Sequence, residues 1–128
     1  MNKKKDVELN AYKERVKELN CLYKLTNIVK DKNLSFEESI HKIIELIPPA
    51  WQYSDITCAR ITIDGKVFKT KNFKVTKWSQ VSNIISENNK IGTLEVYYLE
   101  ERPEIDEGPF LVDERRLIEA IADLIGTY

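Results

Sequence analysis

Apolar residues recur at alternating steps of three and four near the start of the chain, within good helix formers from Asp6 to about Asp31. That spacing keeps side chains on one face of an α-helix and is typical of a heptad repeat. We call the residues that share it the heptad seam: Leu9, Tyr12, Val16, Leu19 and Tyr23. They predict a helix over 6–31.

A second apolar stripe on the same helix starts one position out of phase with the heptad seam; it comprises Leu22, Leu25, Ile28 and Val29. The apolar face therefore rotates as the helix proceeds. We expect the first half of the helix to meet its copy in a second chain, while the second half packs on its own domain. The alternative is one long helix that lies wholly on its own core.

A second helix is predicted over 35–48. Ser35, followed three residues later by Glu38, has the spacing of a capping box at a helix N-terminus. Apolar residues then recur with helical spacing on one face: Phe36, Ile40, Ile43, Ile44 and Ile47. Pro48 and Pro49 are expected to end this helix, because neither can donate a backbone hydrogen bond.

The period changes to two after residue 56, which indicates β-strands over 56–99. Ile61 and Ile63 point to one side of the first strand, so Arg60 and Thr62 point to the other. Asp64–Gly65 is a residue pair favoured in type I′ hairpin turns. We expect a lysine-rich edge strand next, over 66–73.

A third and a fourth strand are predicted over 78–87 and 91–99, with a turn at Asn88–Asn89. An acidic loop follows over 100–112, and Asp113 can cap a last helix over 113–126. Apolar residues cover a wide face of that helix. We therefore expect the first and last helices to pack on each other and on the same two helices of a second copy, in a dimer. Its dimer residues are predicted to be Leu117, Ile118, Ile121 and Ile125.

Together these elements predict an α+β fold, with a central antiparallel sheet and the terminal helices packed together on one face. A chain of 128 residues fits a single domain over 6–128, preceded by a basic flexible tail over 1–5. The 20 basic and 21 acidic residues supply no overall positive field, which makes nucleic acid a poor candidate partner. The apolar runs are too short for a membrane span, and we expect a cytoplasmic chain.

Candidate chemistry is sparse. Cys21, Cys58 and the single histidine, His41, lack the spacing of a zinc site, so no metal or cofactor is predicted. One sheet face could nevertheless hold a small ligand, with Arg60 pairing with an anion and Glu95 orienting it. The full candidate set is Arg60, Thr62, Trp78, Gln80, Glu95 and Tyr97. The alternative is a solvated outer face with ordinary cross-strand pairs, and no nucleophile beside a base is evident.

The order of elements, with the segment 90–98 leading into the acidic loop and then Phe110–Leu111, resembles the GAF domain family. More narrowly, several segments look like small sensory domains that precede histidine kinase modules in bacteria and archaea: 47–53, 57–61, and 96–101 with 107–111. The resemblance covers about residues 20–125. It implies a signalling input domain, usually dimeric, whose terminal helices transmit a change of state to an output module.

The sequence departs from ligand-binding members of that family, because few residues separate the second and third strands and the usual lid over the sheet is mostly missing. The expected function is therefore a noncatalytic, dimeric sensory or regulatory domain of a histidine kinase type system. Two alternatives stay open. One is a small-molecule-binding protein or small enzyme that uses the Arg60 and Glu95 face, and the other is a purely structural dimerisation module.

Overall fold

A computed structural model describes residues 3–128, with the side chains of residues 3, 4 and 7 left aside, and shows an α+β fold. The helices are α1 (Lys3–Lys30), α2 (Phe36–Glu45), α3 (Ile47–Ala50) and α4 (Val112–Thr127). The strands are β1 (Thr57–Ile63), β2 (Lys66–Lys69), β3 (Ser79–Ser86) and β4 (Asn89–Tyr98). A short 3₁₀ turn, Ser54–Ile56, leads into β1.

The four strands form one antiparallel sheet in the order β2-β1-β4-β3. Asp64 and Gly65 join β1 to β2 with φ of 48° and 82°, as the predicted type I′ turn requires. The second turn lies one residue earlier than expected, since Glu87 and Asn88 are the residues with positive φ. β2 ends at Lys69 rather than at Phe73, and an irregular segment over 70–77, which we call the strap, connects it to β3.

Helices α2 and α4 cover one face of the sheet. α2 packs on β1 and β2, α4 packs mainly on β3, and α1 lies on α2, α3 and α4. This inner face forms a single apolar core, whose largest fully buried side chains include Trp51, Tyr98 and Phe110. The opposite, outer face of the sheet carries Arg60 and Thr62, as the alternation predicts.

The first helix begins earlier than expected. α1 already includes Lys3–Lys5, so this part of the predicted tail is helical, while residues 1 and 2 lie outside the described residues. Lysine is a good helix former, and no proline or glycine interrupts the segment.

The two prolines do not end α2 as predicted. That helix begins with the expected capping box at Ser35 and Glu38, but it ends at Glu45, before the prolines. Pro48 and Pro49 instead lie within the short helix α3, whose first turn does not need the N–H groups that proline lacks.

α4 begins one residue earlier than expected, and Leu111 rather than Asp113 is its N-cap. The carboxylate of Glu114 accepts a hydrogen bond from the backbone N–H of Leu111 at 2.8 Å. At the other end of the helix, the backbone of Gly126 comes so close to β3 that a Cβ there would lie 2.1 Å from the carbonyl oxygen of Ile85. Glycine is therefore required for this helix–strand contact.

No helix within residues 3–128 combines the length and the apolar character that crossing a membrane demands.

Candidate functional site

Arg60 and Glu95 face each other across the two central strands on the outer face of the sheet. Two charge-assisted hydrogen bonds join them, from Nε of Arg60 at 2.7 Å and from its Nη2 at 2.8 Å. The hydroxyl of Tyr97 donates a third hydrogen bond to Glu95 at 2.6 Å. The pattern of alternation thus brings together three of the six predicted ligand residues.

The electrostatics of this group follow from the ion pair. Hydrogen bonding to the Arg60 guanidinium lowers the pKa of Glu95 below its ordinary value, although partial burial acts in the opposite direction. Burial, together with the hydrogen bond to Glu95, raises the pKa of Tyr97 to about 12. At neutral pH the group is a neutralised pair with a protonated phenol.

The strap covers one end of this group. The Arg60 guanidinium carbon lies 4.9 Å from the ring centroid of Phe73, and the Phe73 ring meets Tyr97 edge-on at 5.6 Å. Three hydrogen bonds fix the strap on β1 and β4. Asn72 donates to the Thr57 carbonyl, the Cys58 thiol donates to the carbonyl of Lys74, and Thr76 donates to the Tyr98 carbonyl.

The other predicted ligand residues do not join this group. Thr62 lies further along the outer face, opposite Thr93. Gln80 lies on the inner face, where it is buried and accepts a hydrogen bond from the Trp51 indole at 3.1 Å. Its assignment to the outer face was therefore wrong, because Gln80 stands opposite the buried Val96 in the β3–β4 register.

Trp78 also lies away from Arg60, immediately before β3. It lines a groove of about 350 Å³ between the strap and the acidic loop, with Lys77, Arg102 and Glu104 among its neighbours. The Lys77 ammonium sits 5.3 Å from the Trp78 ring centroid. Trp78 and Arg60 consequently belong to different surfaces.

A buried carboxylate that sequence reasoning missed lies at the start of α4. Glu114 accepts hydrogen bonds from the N–H of Gln52 at 2.7 Å, from the N–H of Leu111 and from the Tyr98 hydroxyl at 3.2 Å. These groups belong to three separate parts of the chain. Burial raises the pKa of Glu114 above its ordinary value in spite of these donors.

A second polar network joins the acidic loop to α4 and β3. Arg115 holds Glu107 with two hydrogen bonds of 2.8 and 2.6 Å, and Gln80 donates to the same carboxylate at 3.2 Å. Arg115 also donates to the Val81 carbonyl at 2.9 Å. The guanidinium lowers the pKa of Glu107. Neither network could be identified from spacing, because its members are far apart in sequence.

Polar and charged side chains of α1 face the chain after α3 and the start of α4. Lys17 of α1 bonds Glu14 at 3.1 Å and reaches the carbonyl oxygens of Trp51 and Gln52 at 3.4 Å. Glu18 has a raised pKa because of its burial and because Asp113 of α4 lies nearby. Arg15 and Arg116 oppose this shift, so charges of both signs from α1 and α4 lie near one another.

The two halves of the predicted dimer surface differ. The heptad seam is exposed on α1, with exposed fractions from 39% at Val16 to 69% at Tyr23. The predicted residues on α4 are buried in the chain's own core: Leu117, Ile118, Ile121 and Ile125. Their assignment to an interface between copies was wrong, since the sheet and the other helices already occupy that wide apolar face.

The cysteines and the histidine do not form a reactive group. Cys21 and Cys58 are both buried free thiols, and burial raises the pKa of Cys21 to about 11. His41 is exposed on α2 and meets Phe68 edge-on at 4.9 Å. Among the residues whose side chains are described, no cluster of three or more His, Cys, Asp or Glu could hold a metal ion.

No family model, curated protein or solved structure matches this chain.

Proposed function

We propose that this chain is a noncatalytic regulatory domain of the GAF kind, which dimerises through α1 and passes a change of state to a signalling output module of the histidine kinase type. The observation that carries the proposal is the exposed heptad seam. Five large apolar side chains on one helix face stay in contact with water in the single chain. Surfaces of this kind mark sites of protein association.

The first turns of α1 have little to hold them in a single chain. Every described side chain from Lys5 to Lys13 is exposed, so this part of the helix extends past the domain body. Short helices without a packing partner are marginal in water. Pairing with the same segment of a second copy would bury Leu9 and Tyr12 and stabilise these turns.

Charges beside the heptad seam favour a parallel arrangement of the two helices. With Leu9 and Val16 as equivalent heptad positions, Glu8 of one copy lies beside Lys13 of the other in a parallel pair. An antiparallel pair would instead bring Lys13 or Arg15 close to its own equivalent, which is repulsive. A parallel pair also places the two domain bodies at the same end of the helices.

Coupling to the domain body would go through the second half of α1. Cys21 and Leu25 are buried against the core, and Lys17 reaches the carbonyl oxygens that precede β1. A stimulus that changes this packing must bind the two arrangements with different affinity, because equal affinity shifts no equilibrium. The proposal assigns catalysis to another domain or protein.

Light scattering of the intact chain tests the proposal against a variant with Val16→Glu and Leu19→Glu. We expect the parent to be a dimer at micromolar concentration and the variant to be a monomer, because two carboxylates would have to be buried in the heptad seam. Ile105→Glu with Val112→Glu is the matched control. These two residues are similarly exposed, at 57% and 46%, but lie outside α1.

Circular dichroism establishes that all three proteins are folded. A parent that is monomeric at this concentration, or a control variant that dissociates as fully as the α1 variant, contradicts the proposal. Further assays compare the activity of an attached kinase between the parent and Arg60→Ala. A purely structural dimerisation module predicts that Arg60→Ala leaves this output unchanged, while a ligand-dependent sensor using the outer face predicts loss of the response.

A further inference from the structure

Positive charge is concentrated in one stretch of an otherwise balanced chain. Residues 65–86 contain five lysines and no acidic residue, whereas the whole chain has 20 basic and 21 acidic residues. The five lysines are Lys66, Lys69, Lys71, Lys74 and Lys77. All five lysines lie on β2 or the strap and none lies on β3, so the charge is at the β2 edge of the sheet and over its outer face.

The fold leaves most of these lysines unneutralised. All five are exposed, and Lys66 pairs with Glu37. Within the described part of the chain, the other four form no ion pair shorter than 4.0 Å. Lys77 shares its groove with Glu101 and Glu104 of the acidic loop, which leaves Lys69, Lys71 and Lys74 as the lysines without nearby acidic side chains of that loop. Glu95 on the same face does not offset them, because Arg60 and Tyr97 already hold its carboxylate.

The strap and β2 each present an exposed valine near the lysines. Val75 is 58% exposed and lies between Lys74 and Lys77 in sequence. Val67 of β2 is 54% exposed and shares the outer face with Lys69 in the strand register. Since hydrogen bonds to Thr57, Cys58 and Tyr98 anchor the strap, it forms a fixed surface on the sheet.

The aromatic rings nearby are not free to stack on nucleobases. Arg60 and Lys69 lie 4.9 and 6.0 Å from the Phe73 ring centroid, and Lys77 lies 5.3 Å from that of Trp78. Proteins that bind single-stranded nucleic acid combine positive charge with open aromatic faces. A surface of lysines with exposed valines instead suits a bilayer, where ammonium groups meet anionic headgroups and apolar side chains enter the boundary with the acyl chains.

We propose that the strap and β2 form a docking surface for a bilayer of anionic phospholipid. Lys69, Lys71 and Lys74 contact the headgroups, and Val75 enters the interface. This surface lies on the outer face of the sheet and does not include the heptad seam, so the proposal stands independently of dimerisation through α1.

Vesicle sedimentation tests the proposal with the full chain. The probes are vesicles of phosphatidylcholine alone and of an equimolar mixture of phosphatidylcholine and phosphatidylglycerol. We expect binding to the mixed vesicles, with loss at high salt as charges are screened. Each lysine near an anionic surface contributes about fivefold to the partition coefficient. The variant Lys71→Glu with Lys74→Glu should therefore bind at least about tenfold more weakly.

The matched control is Lys30→Glu with Lys32→Glu, which changes the net charge equally at exposed positions near the end of α1. It should keep parental binding, and Val75→Ser should weaken binding by a few fold. Failure of the parent to bind the mixed vesicles overturns the proposal. So does equal loss in both lysine variants, or tighter binding to oligothymidine or polyglutamate than to the vesicles, which would identify another kind of polyanion as the partner.

Discussion

Glu95 on the outer face and Glu114 at the start of α4 each accept three hydrogen bonds, yet their pKa values are shifted in opposite directions. Two of the hydrogen bonds to Glu95 come from a guanidinium, and the group is partly open to water. Glu114 has neutral donors alone and is 4% exposed. A nearby cation and the degree of burial therefore determine the ionisation of a carboxylate here, rather than the number of donors.

The largest effect is expected at Glu114. Glu114→Ala leaves the N–H groups of Gln52 and Leu111 and the Tyr98 hydroxyl without their acceptor, and should lower the free energy of unfolding by about 3 kcal/mol. Glu114→Gln keeps one acceptor oxygen but turns its amide N–H₂ towards a donor of the other oxygen, and should cost about 2 kcal/mol. Urea unfolding measures both. An alanine variant as stable as the glutamine variant would show that these donors find other partners.

A smaller effect is expected on the outer face. Arg60→Ala and Glu95→Ala should each lower the free energy of unfolding by about 1 kcal/mol, because the pair is partly exposed and screened. A double-mutant cycle with both changes isolates the coupling between the two side chains. We expect a coupling of about 1 kcal/mol, and strictly additive effects would mean that the pair contributes nothing.

The smallest effect concerns pH. Because the pKa of Glu114 is raised in the fold, the folded chain binds that proton more tightly, and the parent should gain stability relative to Glu114→Gln as pH falls from neutral towards 4.5. Glu95 has the opposite sign: its contribution is complete above 4.5 and is lost as pH falls below that value, relative to Glu95→Gln. Unfolding curves at several pH values measure both differences. If both stability differences changed in the same direction as pH falls, the opposite shifts of the two pKa values would be contradicted.

Local chemistry made some elements predictable from the sequence. Ser35 and Glu38 form a capping box within three residues, and Asp64–Gly65 encodes its own turn. Alternation alone places Arg60 on the outer face of β1, and the β1–β4 register sets Glu95 opposite it. These features were predictable because each depends only on residues close in sequence or on the pairing of two strands.

Features that depend on tertiary contacts were not predictable. The register of β3 shifts between Ile84 and Ile85. Because these two isoleucines are adjacent, alternation along β3 did not determine which of them is buried, and so did not determine which face Gln80 occupies. Glu114 resembles an ordinary residue of a first helical turn, and its burial follows from Tyr98 and Gln52, which are remote in sequence. The apolar stripe of α4 indicated burial, but it did not distinguish the chain's own core from a second copy.

The close approach of Gly126 to Ile85 has a mechanical consequence. With backbone against backbone, turning α4 about its axis would push a neighbouring side chain into β3, so we expect this helix and the sheet to move as one rigid unit. The first half of α1 has no comparable contact, since its described side chains from Lys5 to Lys13 are exposed. Any hinge between the domain body and a helix is therefore expected within α1, near Lys17, where the contacts with the body begin.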